Sequence, residues 1–196
     1  MQADDPAGPD YFDAAAGRIR LSAPDSAWPE LYRVQERRIR AALGAAARAV
    51  EHVGSTSVPG LSAKDCLDVL LIVADPADEP AYRPALEAAG YRFHLAEPDW
   101  HQHRLFTAAA PQVNLHVFAE GPEPDRMRLF RDHLRTHPAD RDRYEQAKRS
   151  LAERSWPAVQ AYADAKSAVV EEILDRAAGT GDAAGDPGGG AHGAPG

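Results

Sequence analysis

The stretch EHVGSTSVPGLSAKDCLDVLLIV, residues 51–73, decides the fold. Ala49 to Val53 reads as a short strand that runs into Gly54-Ser55. Leu67 to Val73 is a continuous apolar run interrupted only by Asp68, the pattern of a strand buried on both faces. Between them lies a small-residue loop with hydroxyls at Ser55, Thr56 and Ser57, and Lys64 stands just ahead of the second strand. Gly54 and Gly60 let the backbone turn tightly and approach a ligand. Hydroxyls and loop amides together suit an anion. A carboxylate at the mouth of an apolar strand needs a cation or hydrogen-bond donors, so Asp68 belongs either to a site or to a turn capped by backbone amides. The loop is not a nucleotide-binding P-loop, because Gly60 is followed by Leu61-Ser62 where that motif requires Lys-Ser/Thr.

Outward from this stretch the periodicity changes several times. Ser26-Ala27-Trp28-Pro29-Glu30 suits a helix start, with Leu31, Val34, Ile39, Ala42 and Leu43 on one face and Gly44 as a stop. Tyr82 to Ala89 predicts a helix ending at Gly90, and Tyr91–Leu95, Arg104–Ala108 and Val113–Phe118 predict strands. From Asp125 the pattern is amphipathic and helical, broken at His137-Pro138, and Trp156-Pro157 opens one last helix through Leu174. The expected class is α+β, with an α/β-like sheet region, in one domain.

Composition bounds the rest. The chain has 196 residues, a single cysteine (Cys66) and a formal net charge of −8. One cysteine excludes an internal disulfide framework and a Cys-rich zinc module. No apolar run approaches the roughly 18 residues that cross a bilayer, and the acidic start does not read as a secretory signal. A cytoplasmic protein without membrane contact is expected. Residues 1–17 carry four Asp and no Lys or Arg, and residues 177–196 carry two Asp and no Lys or Arg. The body, 18–176, is therefore at −8 + 6 = −2. Such a body is a poor nucleic-acid coat, though it can still hold a local phosphate pocket. Residues 177–196 hold 8 of the 15 glycines and no large apolar side chain, so they read as a disordered tail, as do residues 1–17 unless Tyr11 and Phe12 dock.

Lys64, Arg104, Lys148 and Lys166 are candidates for a basic wall around phosphates. Tyr162 lies one helical turn before Lys166 and would share its face. For Lys148 a solvated helix face explains the same pattern. His101 and His103 with His116 could form an open three-histidine metal site, but an exposed loop is the favoured reading of residues 98–103. Arg126, Arg128, Arg131 and Arg135 interleave with acids and read as ordinary ion pairs.

Glu51 through Leu61, with Lys64 and Asp68, resembles the signature of the GrpB family. The likeness continues in Ala27-Trp28-Pro29-Glu30-Leu31, Asn114-Leu115-His116-Val117, residues 130–135, and Ala161 to Ser167, covering roughly 18–176. It implies a nucleotidyltransferase-type fold, a mixed β-sheet flanked by helices with a helical C-terminal half. It also implies transfer of a nucleotidyl group from a nucleotide, or use of another phosphorylated small molecule, to an acceptor that the resemblance does not name. In that reading Gly54, Ser55, Thr56, Ser57, Arg104, Lys148, Tyr162 and Lys166 hold the substrate. Asp68 and Lys64 are catalytic, and Asp68 with His116 holds a divalent metal, Mg²⁺ being one candidate. Where the superfamily pairs two acids on one strand, this chain has Asp68 and then Leu70. Imidazole favours Zn²⁺, Ni²⁺ or Fe²⁺ over Mg²⁺. A catalytically silent nucleotide-binding module and a repurposed transferase on a small metabolite are therefore the alternatives. Fusion of related chains to dephospho-CoA kinase points the resemblance toward coenzyme or nucleotide metabolism.

Overall fold

The computed structural model describes residues 11–182 and opens with a small antiparallel hairpin, β1 (Phe12–Asp13) and β2 (Arg18–Ile19). Tyr11 and Ile19 are buried, so the folded body starts ahead of residue 18. The remaining residues of the two tails expected from composition, 1–10 and 183–196, lie outside the described residues. Helix α1 (Trp28–Leu43) has Pro29 in its first turn and Gly44, at φ 53°, just past its end. That is the placement in which Pro loses no hydrogen bond and Gly takes a positive φ freely.

Strands β3 (Ala49–Val53) and β4 (Leu67–Ile72) flank the hydroxyl loop. Helix α2 (Arg83–Ala88) leads to β5 (Arg92–Glu97), β6 (His103–Ala109) and β7 (Gln112–Phe118). They form one five-stranded sheet in the order β3-β4-β7-β6-β5. Only the central pair β4–β7 is parallel, and its register sets Asp68 beside Asn114 and Leu70 beside His116.

Alternation along the strands divides the sheet into two faces. Val50, Val69, Leu71, Phe106, Leu115 and Val117 pack under Trp28, Ile39 and Leu43 of α1 and Leu86 of α2. On the other face Val53, Leu70, Ile72 and Phe118 form a smaller cluster with Met127. Met127 belongs to α3 (Pro122–Thr136), which Glu51 ties to β3 through Arg128 at 2.8 Å and Arg131 at 2.8 Å. The arginines of α3 are ion-paired: Arg126 with Glu123 and Glu171, and Arg135 with Asp132.

Helix α4 (Pro138–Ala152) follows after the break at His137. Where the sequence predicts one last helix, the chain makes two, α5 (Val159–Asp164) and α6 (Ser167–Asp182). α6 runs past residue 176 into the expected tail, with Ala177 buried. The C-terminal helices share a core of Leu134, Tyr144 and Ile173 that also takes in Val58 and Leu61 from the hydroxyl loop. Among the described residues no helix is long and apolar enough to cross a membrane.

Candidate functional site

The loop after β3 is held from both sides. Gly54, at φ 67°, starts a single 3₁₀ turn over Ser55–Ser57, in which the Ser57 amide donates to Gly54 O and the Val58 amide to Ser55 O. Val58 and Leu61 anchor the loop in the helical core. Arg135 donates to Ser57 O at 2.9 and 3.1 Å, and the Ser62 amide donates to Glu145 at 3.1 Å. Loop and acid meet at Gly54. A Cβ built there would collide with Asp68 Oδ2 and lie 2.9 Å from the Asp68 Cβ and Cγ. Only a glycine lets the loop backbone touch that side chain.

Asp68 is not sealed against main-chain amides. Its side chain is 31% exposed, and its Oδ1 accepts a hydrogen bond from Asn114 Nδ2 at 3.0 Å. His116 Nε2 stands 3.7 Å from the same oxygen, beyond hydrogen-bond distance. Burial works to raise the Asp68 pKa. The charge His116 can carry, the Lys64 ammonium and the Asn114 hydrogen bond outweigh it and hold the carboxyl at about 2.

Lys64 and Lys166 both act on this carboxylate. Burial draws each ammonium's pKa down, and Asp68 pulls each back up. Among the described residues neither lysine has a hydrogen bond or an ion pair within contact distance. Lys64 Nζ lies 4.8 Å from the centre of the Tyr11 ring, and Lys166 Nζ lies 4.9 Å from that of Tyr162. The break between α5 and α6 turns Lys166 inward while keeping it over Tyr162. Tyr162 itself is buried, and its hydroxyl has no hydrogen-bond partner among the described residues. Ser55 interacts with the Tyr144 phenol, which burial pushes up to about 12. One acid, two unpaired ammonium groups, a serine hydroxyl and two phenols thus surround the glycine turn.

Several expected site residues lie elsewhere. Arg104 is buried on the opposite face of the sheet, because it pairs across from Val117, a residue of the α1/α2 core. There it binds Glu79 at 2.7 Å and the carbonyls of Gln102 and His103. It is no part of a phosphate wall. Lys148 is 2% exposed, donates to Ser62 O and pairs with Glu145 at 3.3 Å; burial brings it down to about 8. It fastens the loop to α4 and does not face the acid freely. Thr56 is tied to His52 Nε2 at 2.9 Å, and the Ser57 hydroxyl donates to Gly54 O at 2.6 Å, so both shape the turn. His52 stacks on Tyr32 with ring centres 4.7 Å apart and packs toward α1.

The histidines divide in an unexpected way. His101 is exposed, in a left-handed conformation at φ 52°. His103 is not on the exposed loop: it begins β6 and is buried against Phe118, ring centres 4.6 Å apart. Its Nε2 lies 3.1 Å from His116 Nδ1 and its Nδ1 lies 2.7 Å from Glu97 Oε2. His101 does not join this pair, so the three histidines are not gathered into one site. Among the described residues no group of three His, Cys, Asp or Glu is placed to hold a metal. Asp68 and His116 remain as a pair of donors. Asn114, Tyr144 and Glu97 were not singled out as site residues by sequence reasoning, and His103 was considered only for the three-histidine site. The turn at Ala109–Pro111 carried the missing signal, since it sets Leu105 opposite His116 and hence His103 on the same face.

The sequence model of the family described as GrpB protein matches residues 18–176. The chain belongs to the GrpB family. A GrpB-family relative, the UPF0157 protein of Halalkalibacterium halodurans, is 52% identical over 160 residues, covering 81% of this chain and 82% of that protein. The UPF0157 protein of Streptomyces coelicolor is 46% identical over 160 residues, 81% of this chain and 84% of that one. A dephospho-CoA kinase of Mycolicibacterium paratuberculosis is 30% identical over 191 residues, matching 83% of this chain but 47% of the kinase. Among solved structures, the conserved protein GrpB from Enterococcus faecalis superposes with a TM-score of 0.72 at 25% identity, over 82% of this chain and 98% of that one. The GrpB fold is therefore shared, mixed sheet and flanking helices included.

Proposed function

We propose that the side chains gathered around Gly54 in this GrpB protein bind a nucleotide or a closely related phosphorylated small molecule and transfer its nucleotidyl group to an acceptor. The observation that carries this reading is the charge balance beside Gly54: Lys64 and Lys166 act on a partly exposed Asp68 and leave one surplus positive charge. Half-buried ammonium groups without protein partners are stable when a phosphate completes them. Ser55 would hydrogen-bond a phosphate oxygen, and the glycine turn would let the ligand approach the backbone.

Asp68 and His116 fit a divalent ion in part. Bonds of ~2.0–2.2 Å from each donor span the 3.7 Å between them, with phosphate oxygens and water left to fill the other positions. Such an ion, when bound, neutralises charge developing on the reacting phosphate. The chain's own part is to hold the phosphates with Lys64 and Lys166 and to orient Asp68 through its hydrogen bond from Asn114. The acceptor oxygen bonds to the α-phosphorus, the α–β bridge breaks, pyrophosphate leaves and the acceptor's proton passes to solvent.

The expected result is that ATP with Mn²⁺ or Zn²⁺ raises the melting temperature more than either alone, and that pyrophosphate appears with a suitable acceptor and disappears in Asp68→Ala. Lys166→Met should weaken ATP binding by about tenfold or more, the loss of a charge-assisted hydrogen bond of ~1.5–3 kcal/mol. Leu70 favours a second reading. Its place in the buried cluster with Val53 and Phe118 leaves no second acid on β4, as in a binding module without catalysis. ATP binding indifferent to metal and to Asp68→Ala, with no pyrophosphate, would select it.

A further inference from the structure

We infer that the acceptor of the proposed transfer is an uncharged small molecule bearing a hydroxyl group, and that it binds on the half of the sheet beyond Asn114. The inference rests on the nucleotidyl-transfer reading and names that reaction's second substrate.

The sheet order, β3-β4-β7-β6-β5, sets the strand of Asp68 between two different neighbourhoods. Toward β3 lie the groups assigned to phosphate. Ser55 follows that strand, and Lys166 arrives with the helices that pack on the same loop. Lys64 stands ahead of β4, at the end of the acid's own strand. Toward β7 the chemistry changes. Asn114 pairs with Asp68 and Thr107 with Asn114, so the three side chains form one row on one face. In the next row Leu105 lies beside His116, and Leu95 beside Leu105.

Thr107, Leu105 and Leu95 are half-buried, yet neither leucine joins an apolar cluster of the described residues. The Thr107 hydroxyl has no hydrogen-bond partner among those residues, nor has Asn114 Oδ1, since Asn114 meets Asp68 through its Nδ2. Trp100, 44% exposed, marks the far end, its ring 5.7 Å from Phe118 and 5.2 Å from His103. An apolar floor with a few polar groups suits a small molecule. Three strand spacings of about 4.8 Å separate Asp68 from Leu95, enough for such a ligand.

Charge narrows the class. Arg92 ends the Thr107 row at the β5 edge, and it is not a free cation. Glu97, two residues past Leu95, adds a second carboxylate to the face. An anionic acceptor would lie between these acids with no free cation to meet it, whereas an uncharged one meets no repulsion. The reaction fixes the side of entry. Entering and leaving oxygens lie roughly in line across the phosphorus. Lys64 and Lys166 draw the leaving pyrophosphate to themselves, so the acceptor enters over Asn114 and Thr107. Its hydroxyl oxygen bonds to the α-phosphorus, the α–β bridge breaks, pyrophosphate departs with the electron pair and the hydroxyl proton passes to solvent.

The test uses benzyl alcohol, an apolar ring with one hydroxyl and no charge, and methyl spectra of the isotope-labelled full chain. Titrated alone, it should shift the Thr107, Leu105 and Leu95 methyl signals along one saturating curve. Thr107→Val keeps the side chain's shape and removes its hydroxyl. It should weaken that binding about three- to tenfold, the loss of one neutral hydrogen bond, and leave ATP affinity unchanged. Benzoate, a similar ring with a negative charge, should bind there about tenfold more weakly or worse. ATP with Mn²⁺ should leave the alcohol in place. No shift at these methyls, equal binding by Thr107→Val, or benzoate bound as tightly overturns the inference. So does displacement of the alcohol by ATP, which would put the nucleotide itself on this face. A chain that takes the alcohol here yet never binds ATP fails the proposed function and keeps the face as a site for an uncharged ligand.

Discussion

Gly54 does two jobs that no other residue can combine. Its φ of 67° with ψ near −172° is open to glycine and strained for any residue with a side chain, and its bare Cα lets Asp68 lie against the turn. Gly54→Ala should lower unfolding free energy by ~1–3 kcal/mol, measured in urea, and should weaken ATP binding because the carboxylate has to move. A substitution that left both unchanged would mean that the loop and the acid are not coupled. At this scale the sequence revealed much: Gly54, Ser55, Lys64, Asp68 and Lys166 are side by side in the structure. Arg104 went astray because a strand shows alternate residues to opposite faces. The residue that lies on the Asp68 side at that end of β6 is His103, and alternation alone does not say which of two neighbours takes which face until the pairing with β7 is known. Lys148 went astray for a different reason. Nothing local in a sequence shows that a lysine on an amphipathic helix will meet a buried carbonyl, here Ser62 O, from a loop some eighty residues earlier.

Element by element, strand β4 shows what occupies the position two residues beyond Asp68. Leu70 is fully buried among Val53, Ile72 and Phe118. Placing an acid there by Leu70→Asp should not build a stronger metal site. It should bury an unpaired charge and lose the Leu contacts, a change of several kcal/mol, seen as a collapse of the melting transition. A folded variant with tighter Mn²⁺ binding would contradict this packing argument. The elements themselves were legible where punctuation was strong: Pro29 and Gly44 bracket α1, and His137-Pro138 separates α3 from α4. The split between α5 and α6 was not, since Ala165 and Lys166 carry no breaker and the apolar spacing runs straight through. Only the tertiary contacts that bring Lys166 to Tyr162 and Asp68 reveal the bend.

At the scale of the whole molecule, acid should weaken the fold in a defined window. Burial brings His52 and His103 down to about 4, whereas an unfolded chain takes up those protons near ~6.5. The unfolded state binds more protons between these limits, so stability rises with pH across them. Read downward, the contribution of the two neutral rings is complete above ~6.5 and is lost as pH falls toward 4. Asp68, held at about 2 against ~3.9 in an unfolded chain, adds a slope of the same sign that begins at pH ~5 and lies mostly below the histidine window. Thermal unfolding followed across this range should show the decline, and His52→Gln, which keeps a partner for Thr56 but cannot titrate, should make it shallower. A flat profile in the parent chain would show that these rings are not buried neutral.

The hairpin at the start of the chain bears on how this protein should be cut. Trp156 donates its backbone N–H to Gly17 O at 2.7 Å, and Tyr11 lies under the Lys64 ammonium. A fragment trimmed to residue 18, where the family match begins, would keep the glycine turn and Asp68 yet lose the aromatic ring beneath Lys64, along with a stitch between the chain's first and last thirds. A cut at Arg18 removes both contacts, and a cut no later than Tyr11 keeps them.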